Sequence, residues 1–234
     1  PADTIARVVV TAEADGAKSH GLLRLPGYIS TLKSGWIDGN AEPRVAHPKP
    51  GLLVIDARNG FAQVALAACR AELITAARTQ GIAAAAIHNS HHFAALYIDV
   101  EPLANEGLLA ITLVNARTRI ALGPGKEKVL GTNPMALACP RASAPPIVWD
   151  QASSIMSQGD VLIARAQGRK LPDGVGLDKN GNSTTDPAEV LDGGALLSFG
   201  GHKGHNIALM AELLAGAMTG SRLGFEDDAH RFPG

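Results

Sequence analysis

The stretch that decides the fold is FAQVALAACRAELITAARTQGIAAAAI, residues 61–87. Residues 61–80 are rich in alanine and contain no glycine or proline, which predicts a helix, and Gly81 stands where helices commonly end. The next six residues, 82–87, form an apolar run of strand length, so they predict a short buried strand. Because a helix followed by a buried strand is the repeating unit of α/β proteins, this stretch predicts an α/β fold.

The neighbouring segments extend this unit in both directions. Before it, LLVID (52–56) predicts a strand, and the following ARNG predicts the turn that ends it. After it, the pattern predicts a helix over about 93–106, ended by Gly107, and then a strand within LLAITLVNA (108–116). The order helix, strand, loop, helix, strand is therefore one continuous α/β arrangement.

The remaining segments predict further short elements. Residues 5–15 predict a helix or a strand, and residues 32–50, rich in proline, glycine and asparagine, predict a loop. Two paired strands are predicted in GTNPMALACP (131–140) and PPIVWD (145–150).

The last third of the chain adds a helix and a hairpin. SQGDVLIARAQGRK (157–170) predicts a helix with Ile163 and Ala166 facing inward. DGVGLDKNGNSTTDP (173–187) predicts a turn-rich hairpin. A long apolar helix is predicted from about residue 205.

Composition limits the classes of function. The 234 residues are 46% apolar and 18% charged, with a net charge of −1 and no run of lysine and arginine, so neither nucleic acid nor an anionic membrane is expected as a partner. No apolar stretch reaches the length of about 18 residues that a membrane span needs. Cys69 and Cys139 lie in apolar surroundings, which favours a reducing cytoplasm over a disulfide framework. Because the chain begins at Pro1 and ends at Phe232–Gly234, we expect further segments at both ends.

The histidine-rich stretch HNSHHF (88–93) has metal-ligand spacing if it is helical, with His88, His91 and His92 on one face. However, it follows a strand and has no nearby cysteine and no glutamate of the HExxH type. A loop between a strand and a helix instead offers backbone N–H groups to an anion. We therefore favour a ligand pocket over a metal site, and the alternative of histidines that are simply hydrogen-bonded in a loop fits His88.

A glycine loop, FGGHKG (199–204), precedes the last predicted helix. Its glycines allow close approach of a ligand, and Lys203 and the helix dipole could together bind a phosphate; the alternative is a flexible turn. It is not a P-loop, because Gly204 follows the lysine, and the chain contains no GxGxxG for a Rossmann site. GPGKEK (123–128) has glutamate after its lysine and is not a nucleotide loop either, and DKNGNSTTDPAE (178–189) has Ser183 where a calcium loop needs glycine.

Near the front of the chain, SHGLLR (19–24) combines a hydroxyl, an imidazole and a guanidinium. Arg24 could bind a carboxylate through two parallel hydrogen bonds, and His20 could transfer a proton near neutral pH, oriented by Ser19. From these six residues alone, a solvated helix face is the better interpretation.

Taken together, five motifs resemble the malate/L-lactate dehydrogenase family that lacks a Rossmann fold, and within it the Δ1-piperideine-2-carboxylate/Δ1-pyrroline-2-carboxylate reductases. In chain order they are SHGLLRLPGY, HNSHHFAALY, GTNPMALACP, the Gly159-Asp160 pair of SQGDV, and DGGALLSFGGHKG. The resemblance covers nearly the whole chain, and five ordered motifs are far more specific than any one of them.

The resemblance implies a fold, a cofactor and an assembly. The fold is a non-Rossmann α/β fold with a mixed, largely antiparallel sheet flanked by helices. Residues 1–234 form one catalytic reductase domain, with a helical and loop substrate-binding part in 1–50 and a cofactor-binding core in 51–234. The family reduces its substrates with NADPH or NADH, without a metal, as homodimers; we expect NADPH here, with NADH possible.

The resemblance also assigns roles by motif. Ser19 and His20 match the catalytic pair, and Asp160 matches the carboxylate that completes it. Arg24 and Thr132 match the contacts to the substrate carboxylate. The positions that match cofactor contacts are His91, His92, Phe93, Ala94, Ala95, Asp150, Gln151, Ala152, His202 and Lys203.

The reaction implied is hydride transfer to C2 of a small cyclic imino acid, giving L-pipecolate or L-proline. A 2-hydroxy-acid dehydrogenase acting on malate, lactate or ureidoglycolate is the alternative within the family, and Gly159-Asp160 favours the imine. A metal- or ligand-binding protein without turnover, built on the histidines, is the alternative of another class.

Overall fold

The computed structural model describes residues 1–122 and 127–226. Two interpretations from the sequence fall outside these residues: the lysine of GPGKEK at Lys126, and the chain end at Phe232–Gly234. Among the described residues, no helix is both long and apolar enough to cross a membrane.

The chain opens with two helices joined by short 3-10 turns. The first helix is α1 (Ala2–Ala14), so the segment predicted as either a helix or a strand, residues 5–15, is helical. Two short 3-10 turns, Lys18–His20 and Leu22–Arg24, lead into α2 (Leu25–Lys33), which has a proline in its first turn, where prolines are tolerated. The two helices pack on the rest of the protein through Val9 of α1 and Tyr28 of α2, which share an apolar cluster with Ile37 and Phe61.

The first sheet contains the predicted α/β unit. Its strands are β1 (Arg44–Lys49), β2 (Leu52–Phe61) and β3 (Ala84–His91), and β2 lies between an antiparallel β1 and a parallel β3. A parallel pair needs a crossover connection, which α3 (Ala62–Gln80) supplies. Gly81, in the left-handed region at φ 81°, ends α3 as predicted.

Two predictions in this region are wrong. The loop predicted over 32–50 contains β1, whose pairing with β2 outweighs the weak strand propensity of its own residues. The turn predicted at ARNG is part of β2, which continues to Phe61 through a bulge where Arg58 and Asn59 adopt φ of 51° and 61°. A bulge and a turn share the same left-handed conformations, so residue type alone does not separate them.

The histidine stretch also differs from its prediction. The strand predicted at 82–87 extends to His91, and it is half-buried rather than fully buried. The next helix, α4 (Tyr97–Asn105), begins about four residues later than predicted, while Gly107 follows its end at φ 81° as expected. His88 and His91 therefore lie on a strand rather than at a helix N-terminus.

The remaining elements complete two further sheets. In chain order they are β4 (Ala110–Leu113), β5 (Thr118–Ala121), β6 (Lys128–Gly131), β7 (Met135–Cys139), β8 (Ile147–Gln151), α5 (Gln158–Ala166), β9 (Gly176–Leu177), β10 (Ser183–Thr184), α6 (Pro187–Leu191), β11 (Ala195–Leu196) and α7 (His202–Ala211), which continues as a π-helical segment, Glu212–Ala217.

The second sheet has the order β4-β7-β8 and is antiparallel, which confirms the predicted pairing of β7 with β8. The third sheet has the order β10-β9-β11-β5-β6, and within it β11 and β5 are parallel. The mixed α/β fold is thus confirmed, with the described strands divided among three sheets. The predicted hairpin is confirmed as β9 and β10.

Two details of the later helices are corrected. In α5 the buried side chains are Val161 and Ala164, which pack on the third sheet. The predicted inward residues are different: Ile163 is half-buried and Ala166 is exposed, because the buried face of the helix is rotated by one residue from the predicted one. Helix α7 begins at His202 rather than near 205, so His202 and Lys203 form its first turn.

Candidate active site

The turn after α1 places Ser19 beside His20. Ser19 is buried, and its Oγ lies 3.1 Å from His20 Nδ1. The turn is fixed against α1, because Glu13 Oε2 accepts a hydrogen bond of 3.0 Å from the Leu22 N–H. A Cβ at Gly21 would overlap Glu13, so the residue between His20 and Leu22 must be glycine for the turn to close.

The second 3-10 turn brings Arg24 back beside Ser19. Its Nε donates a hydrogen bond of 2.6 Å to the main-chain oxygen of Ser19. Ser19 therefore contacts both partners, His20 through its side chain and Arg24 through its backbone. Burial lowers the pKa of Arg24, an effect that Tyr28 and Asp160 oppose.

The pKa of His20 is lowered to about 4, chiefly by burial and then by the nearby cation of Arg24, while Asp160 acts in the opposite direction. At neutral pH the imidazole is therefore uncharged. An anion bound at Arg24 would remove part of the opposition to a positive charge on His20, so ligand binding and protonation of this ring are coupled.

Helix α5 supplies the third predicted catalytic residue. Its N-cap, Ser157, accepts a hydrogen bond of 3.1 Å from the Asp160 N–H and donates one of 2.7 Å to Asp160 Oδ2, which closes a capping arrangement. A Cβ at Gly159 would lie 2.7 Å from Ser19 Cβ and 2.8 Å from Arg24 Nη2. The Gly159-Asp160 pair therefore lets the start of α5 dock closely on the turn of Ser19 and Arg24.

His91 and His92, at the end of β3, form one wall of this candidate site together with Tyr28. His92 turns away from the strand at φ 41°, and its Nδ1 lies 2.8 Å from the hydroxyl of Tyr28. The ring of His92 stacks with that of His20 at a centroid distance of 6.4 Å, and His91 meets Tyr28 edge-on at 6.3 Å. Gln63 Nε2 fixes the bend through a hydrogen bond of 2.9 Å to the His92 main-chain oxygen.

Both histidine rings are held uncharged. Burial and then the Arg117 cation lower the pKa of His91 to about 4. Burial, Arg24, His91 and His20 together lower the pKa of His92 well below its ordinary value. Within residues 1–122 and 127–226, no group of three or more histidine, cysteine or acidic side chains is placed to hold a metal ion.

Tyr28 belongs to this site although the sequence reasoning did not single it out. It is 5% exposed, and burial raises its pKa to about 12, so its hydroxyl stays protonated and can donate. It lies four residues after Arg24, one helical turn onward in α2, and that spacing is the signal that could have identified it.

The predicted cofactor residues after β3 divide by burial. Ala94 and Ala95 are buried, and Phe93 packs against the apolar cluster of Leu96 and Val100.

A second cluster gathers the other predicted residues around Ser153. Its N–H donates a hydrogen bond of 2.7 Å to the Thr132 oxygen, and its oxygen accepts one of 3.1 Å from the Phe199 N–H. A Cβ at Gly204 would lie 2.6 Å from the same oxygen, so the start of α7 packs directly on this turn. Thr132, the end of β8 at Asp150-Gln151-Ala152 and the first turn of α7 with His202 and Lys203 are thereby brought together.

The side chains of Gln151, His202 and Lys203 are exposed at this cluster. Asp150 contacts the segment that follows the histidines, because its Oδ2 accepts a hydrogen bond of 3.0 Å from the Tyr97 N–H at the start of α4.

The two clusters meet at the loop before β5. Arg117 in this loop lies close enough to His91 to lower its pKa, and the preceding Ala116 N–H donates a hydrogen bond of 2.9 Å to Asn133 Oδ1, next to Thr132. Neither Arg117 nor Asn133 was identified from the sequence. The position of Asn133 in the GTNP motif was the available signal.

Comparison with known proteins gives a consistent result. A family profile described as Malate/L-lactate dehydrogenase matches residues 1–232. A Delta(1)-pyrroline-2-carboxylate/Delta(1)-piperideine-2-carboxylate reductase of Pseudomonas putida is 51% identical over 236 residues, which span 99% of this chain and 69% of that protein. A (2R)-3-sulfolactate dehydrogenase (NADP(+)) of Chromohalobacter salexigens is 40% identical and covers 96% of this chain and 67% of its own length.

Among solved structures, the crystal structure of delta1-piperideine-2-carboxylate reductase from Pseudomonas syringae pvar. tomato superposes with a TM-score of 0.95 at 49% identity. The alignment covers 99% of this chain and 70% of that one.

Proposed function

The chain belongs to the malate/L-lactate dehydrogenase family, and we propose that it reduces the cyclic imines Δ1-piperideine-2-carboxylate and Δ1-pyrroline-2-carboxylate to L-pipecolate and L-proline with a nicotinamide cofactor. The observation that carries the proposal is the shared anchor on Ser19, whose backbone oxygen fixes Arg24 and whose hydroxyl contacts His20. One cation and one imidazole are thus held at a fixed separation in a half-buried corner.

These substrates are small rings that carry a carboxylate beside a C=N bond. Arg24 binds the carboxylate through its guanidinium, because Ser19 engages its Nε and leaves the terminal nitrogens for a ligand. Thr132, half-buried at the opposite cluster, fixes the angle of the carboxylate. The wall of His91, His92 and Tyr28 excludes water from the substrate ring.

His20 handles the proton. Its Nδ1 faces Ser19, which leaves Nε2 for the imine nitrogen. In the tautomer that donates from Nδ1 to Ser19 Oγ, Nε2 accepts a hydrogen bond from a protonated imine. Once the substrate carboxylate offsets the charge of Arg24, the ring can also hold the proton itself, and Asp160 favours that charged form. An iminium carbon is the better acceptor for a hydride.

The cofactor supplies that hydride when bound. The residues around Ser153 fit the cofactor, since α7 begins there with the positive end of its dipole. Gly200 and Gly201 directly precede α7 with φ of 55° and 59°, and their lack of a side chain allows close approach of a ligand. Lys203 in the first turn of α7 is exposed and suits the additional phosphate of NADPH, which we propose as the preferred cofactor.

Residues 1–50 then form the substrate-binding part and residues 51–234 the cofactor-binding core of one reductase domain. We also propose a homodimer in a reducing cytoplasm. Exposed apolar side chains along the end of α7 support association, namely Leu209, Met210, Leu213, Leu214 and Met218. The two free thiols, Cys69 and Cys139, suit a reducing compartment.

A 2-hydroxy-acid dehydrogenase is the second candidate, because a sulfolactate dehydrogenase is 40% identical to this chain and a 2-oxo acid offers the same carboxylate to Arg24. A spectrophotometric panel of both imines, 2-oxo acids and 2-hydroxy acids with NADPH and NADH decides between them. We expect NADPH oxidation with the imines. Turnover of oxo or hydroxy acids with indifference to the imines would refute the proposal, as would stoichiometric zinc with no turnover at all.

A further inference from the structure

Asn133 lies at the centre of the second cluster and is completely buried, with 0% of its surface exposed. Its backbone adopts φ 30°, in the left-handed region that few residues other than glycine, asparagine and aspartate occupy. A buried polar side chain in this conformation persists when the surrounding hydrogen bonds hold it there.

Four hydrogen bonds hold Asn133, and they come from three other segments. Its Nδ2 donates to the Ala208 oxygen of α7 at 2.8 Å and to Glu212 Oε2, at the end of the same helix, at 2.7 Å. Its Oδ1 accepts from the Ala116 N–H at 2.9 Å, and its main-chain oxygen accepts from Ser153 Oγ at 2.8 Å. One residue, next to Thr132, therefore joins the loop before β5, the turn at Ser153 and helix α7.

Glu212 in turn holds Asn133. It is 3% exposed and stands where α7 changes from α- to π-helical, a change frequently found at functional sites. Its Oε1 accepts from the Gly224 N–H at 2.6 Å and from Asn115 Nδ2 at 3.4 Å, while Oε2 accepts from Asn133. Because both oxygens receive N–H donors, a carboxylate fits this position and an amide does not.

We propose that Asn133, held by Glu212, is a positioning residue that sets the distance between Thr132 on the substrate side and the first turn of α7 on the cofactor side. The proposal rests on the function proposed above. Asn133 itself has no exposed surface and cannot touch a ligand, so it acts through the segments that it joins. Those segments carry Thr132, Arg117 and Lys203.

A swap of donor and acceptor tests this role. In Asn133→Asp, which tolerates the same backbone, two carboxylates would face each other. In Glu212→Gln, an N–H group would face either Asn133 or Gly224. In the double variant, the amide introduced by Glu212→Gln donates to the carboxylate introduced by Asn133→Asp and still accepts from the Gly224 N–H. Only the hydrogen bond from residue 133 to the Ala208 oxygen is then lost, and that oxygen still accepts from the backbone N–H of residue 212.

We expect each single variant to lower kcat/KM about 30- to 100-fold, with a raised KM for the imine and a raised Kd for NADPH measured by fluorescence without substrate. We expect the double variant to recover to within about tenfold of the wild type. Rates are expressed per folded protein, determined by circular dichroism. Ser153→Ala removes one hydrogen bond to Asn133 and should raise KM by about three- to tenfold. We expect this milder variant to fold, so it tests the role of Asn133 even if Asn133→Asp does not fold.

The control is Asn89→Asp. Asn89 also has a left-handed backbone, at φ 50°, and also donates to a carboxylate, Asp56 Oδ1, at 3.0 Å, but it is exposed. It should keep wild-type kinetics. The proposal is overturned if the single variants keep kcat, KM and Kd per folded protein, or if the losses in the double variant simply multiply. Failure of the wild type to reduce any imine would instead refute the proposed function, while the Kd for NADPH would still report on positioning.

Discussion

Replacing Gly159 by alanine adds one methyl group at the contact between α5 and the turn of Ser19 and Arg24. That methyl would lie 2.7 Å from Ser19 Cβ, 3.0 Å from the Ser19 oxygen and 2.8 Å from Arg24 Nη2. Carbon atoms normally pack at about 3.5–4.0 Å, so α5 and the turn must separate by about 1 Å. The arginine end is flexible, but the Ser19 backbone is not, and Ser19 anchors both Arg24 and His20.

Two effects on stability oppose each other in this variant. Alanine in a helix is favoured over glycine by about 1 kcal/mol. Overpacking costs about 1–3 kcal/mol, which leaves a net loss of about 0–2 kcal/mol, or a fall in Tm of up to about 8 °C for a chain of this size. A misplacement of about 1 Å in an active site can cost about 100-fold in rate, equivalent to about 2.7 kcal/mol.

We therefore expect a large loss of kcat/KM with little loss of stability. The assay measures kcat/KM with both imines and thermal unfolding by circular dichroism. Gly27→Ala is the matched control, because Gly27 also lies in a helix, α2, and a Cβ there meets nothing within 4 Å. It should raise stability slightly and leave kinetics unchanged. If Gly159→Ala keeps kcat/KM within about threefold of the wild type, the close docking of α5 is not needed for the reaction.

The further predictions concern the charged groups. Arg24→Ala should raise KM for the imine by about 10- to 100-fold, because a charge-assisted contact worth about 1.5–3 kcal/mol is lost; an unchanged KM would remove Arg24 from the substrate site. The same variant should raise the pKa of His20 above about 4, since the Arg24 cation is the second cause of its lowering, and NMR titration of the ring would contradict this if the pKa did not move. Stability should fall as the pH decreases from 6.5 toward 4, because His20, His91 and His92 have folded-state pKa values below their ordinary value and the unfolded chain binds more protons. The slope is up to about 1.4 kcal/mol per pH unit for each histidine, and urea unfolding that is independent of pH in this range would show that the rings are not held neutral. Lys203→Ala should weaken binding of NADPH more than of NADH, measured by fluorescence titration, and equal weakening would place Lys203 away from the extra phosphate.

The fold was predictable where local signals agree with long-range pairing. Helix α3 and its terminal Gly81 follow from alanine content and one glycine, and β7 and β8 follow from two adjacent apolar runs. The errors occur where tertiary contacts decide. Strand β1 forms because β2 lies beside it, although its residues favour a loop.

The local grouping of Ser19, His20 and Arg24 was predictable from the sequence, but the long-range contacts around the candidate site were not. Ser19, His20 and Arg24 lie within six positions, so a local turn suffices to bring them together. In contrast, Asn133 and Glu212 are 79 positions apart, and no local pattern reports that they are in contact. A buried asparagine inside an apolar motif resembles an ordinary turn residue until the helix that faces it is known.

His88 and His91 lie on strand β3, and this makes the protein less tolerant of a change in chain length there than at an exposed turn. One residue gained between Ile87 and His91 would place the hydroxyl of Ser90 where the ring of His91 now meets that of Tyr28. The same insertion in the exposed tip between β9 and β10 would leave the pocket unaltered. Among homologous chains, we expect gaps to accumulate at that tip and to be missing from β3.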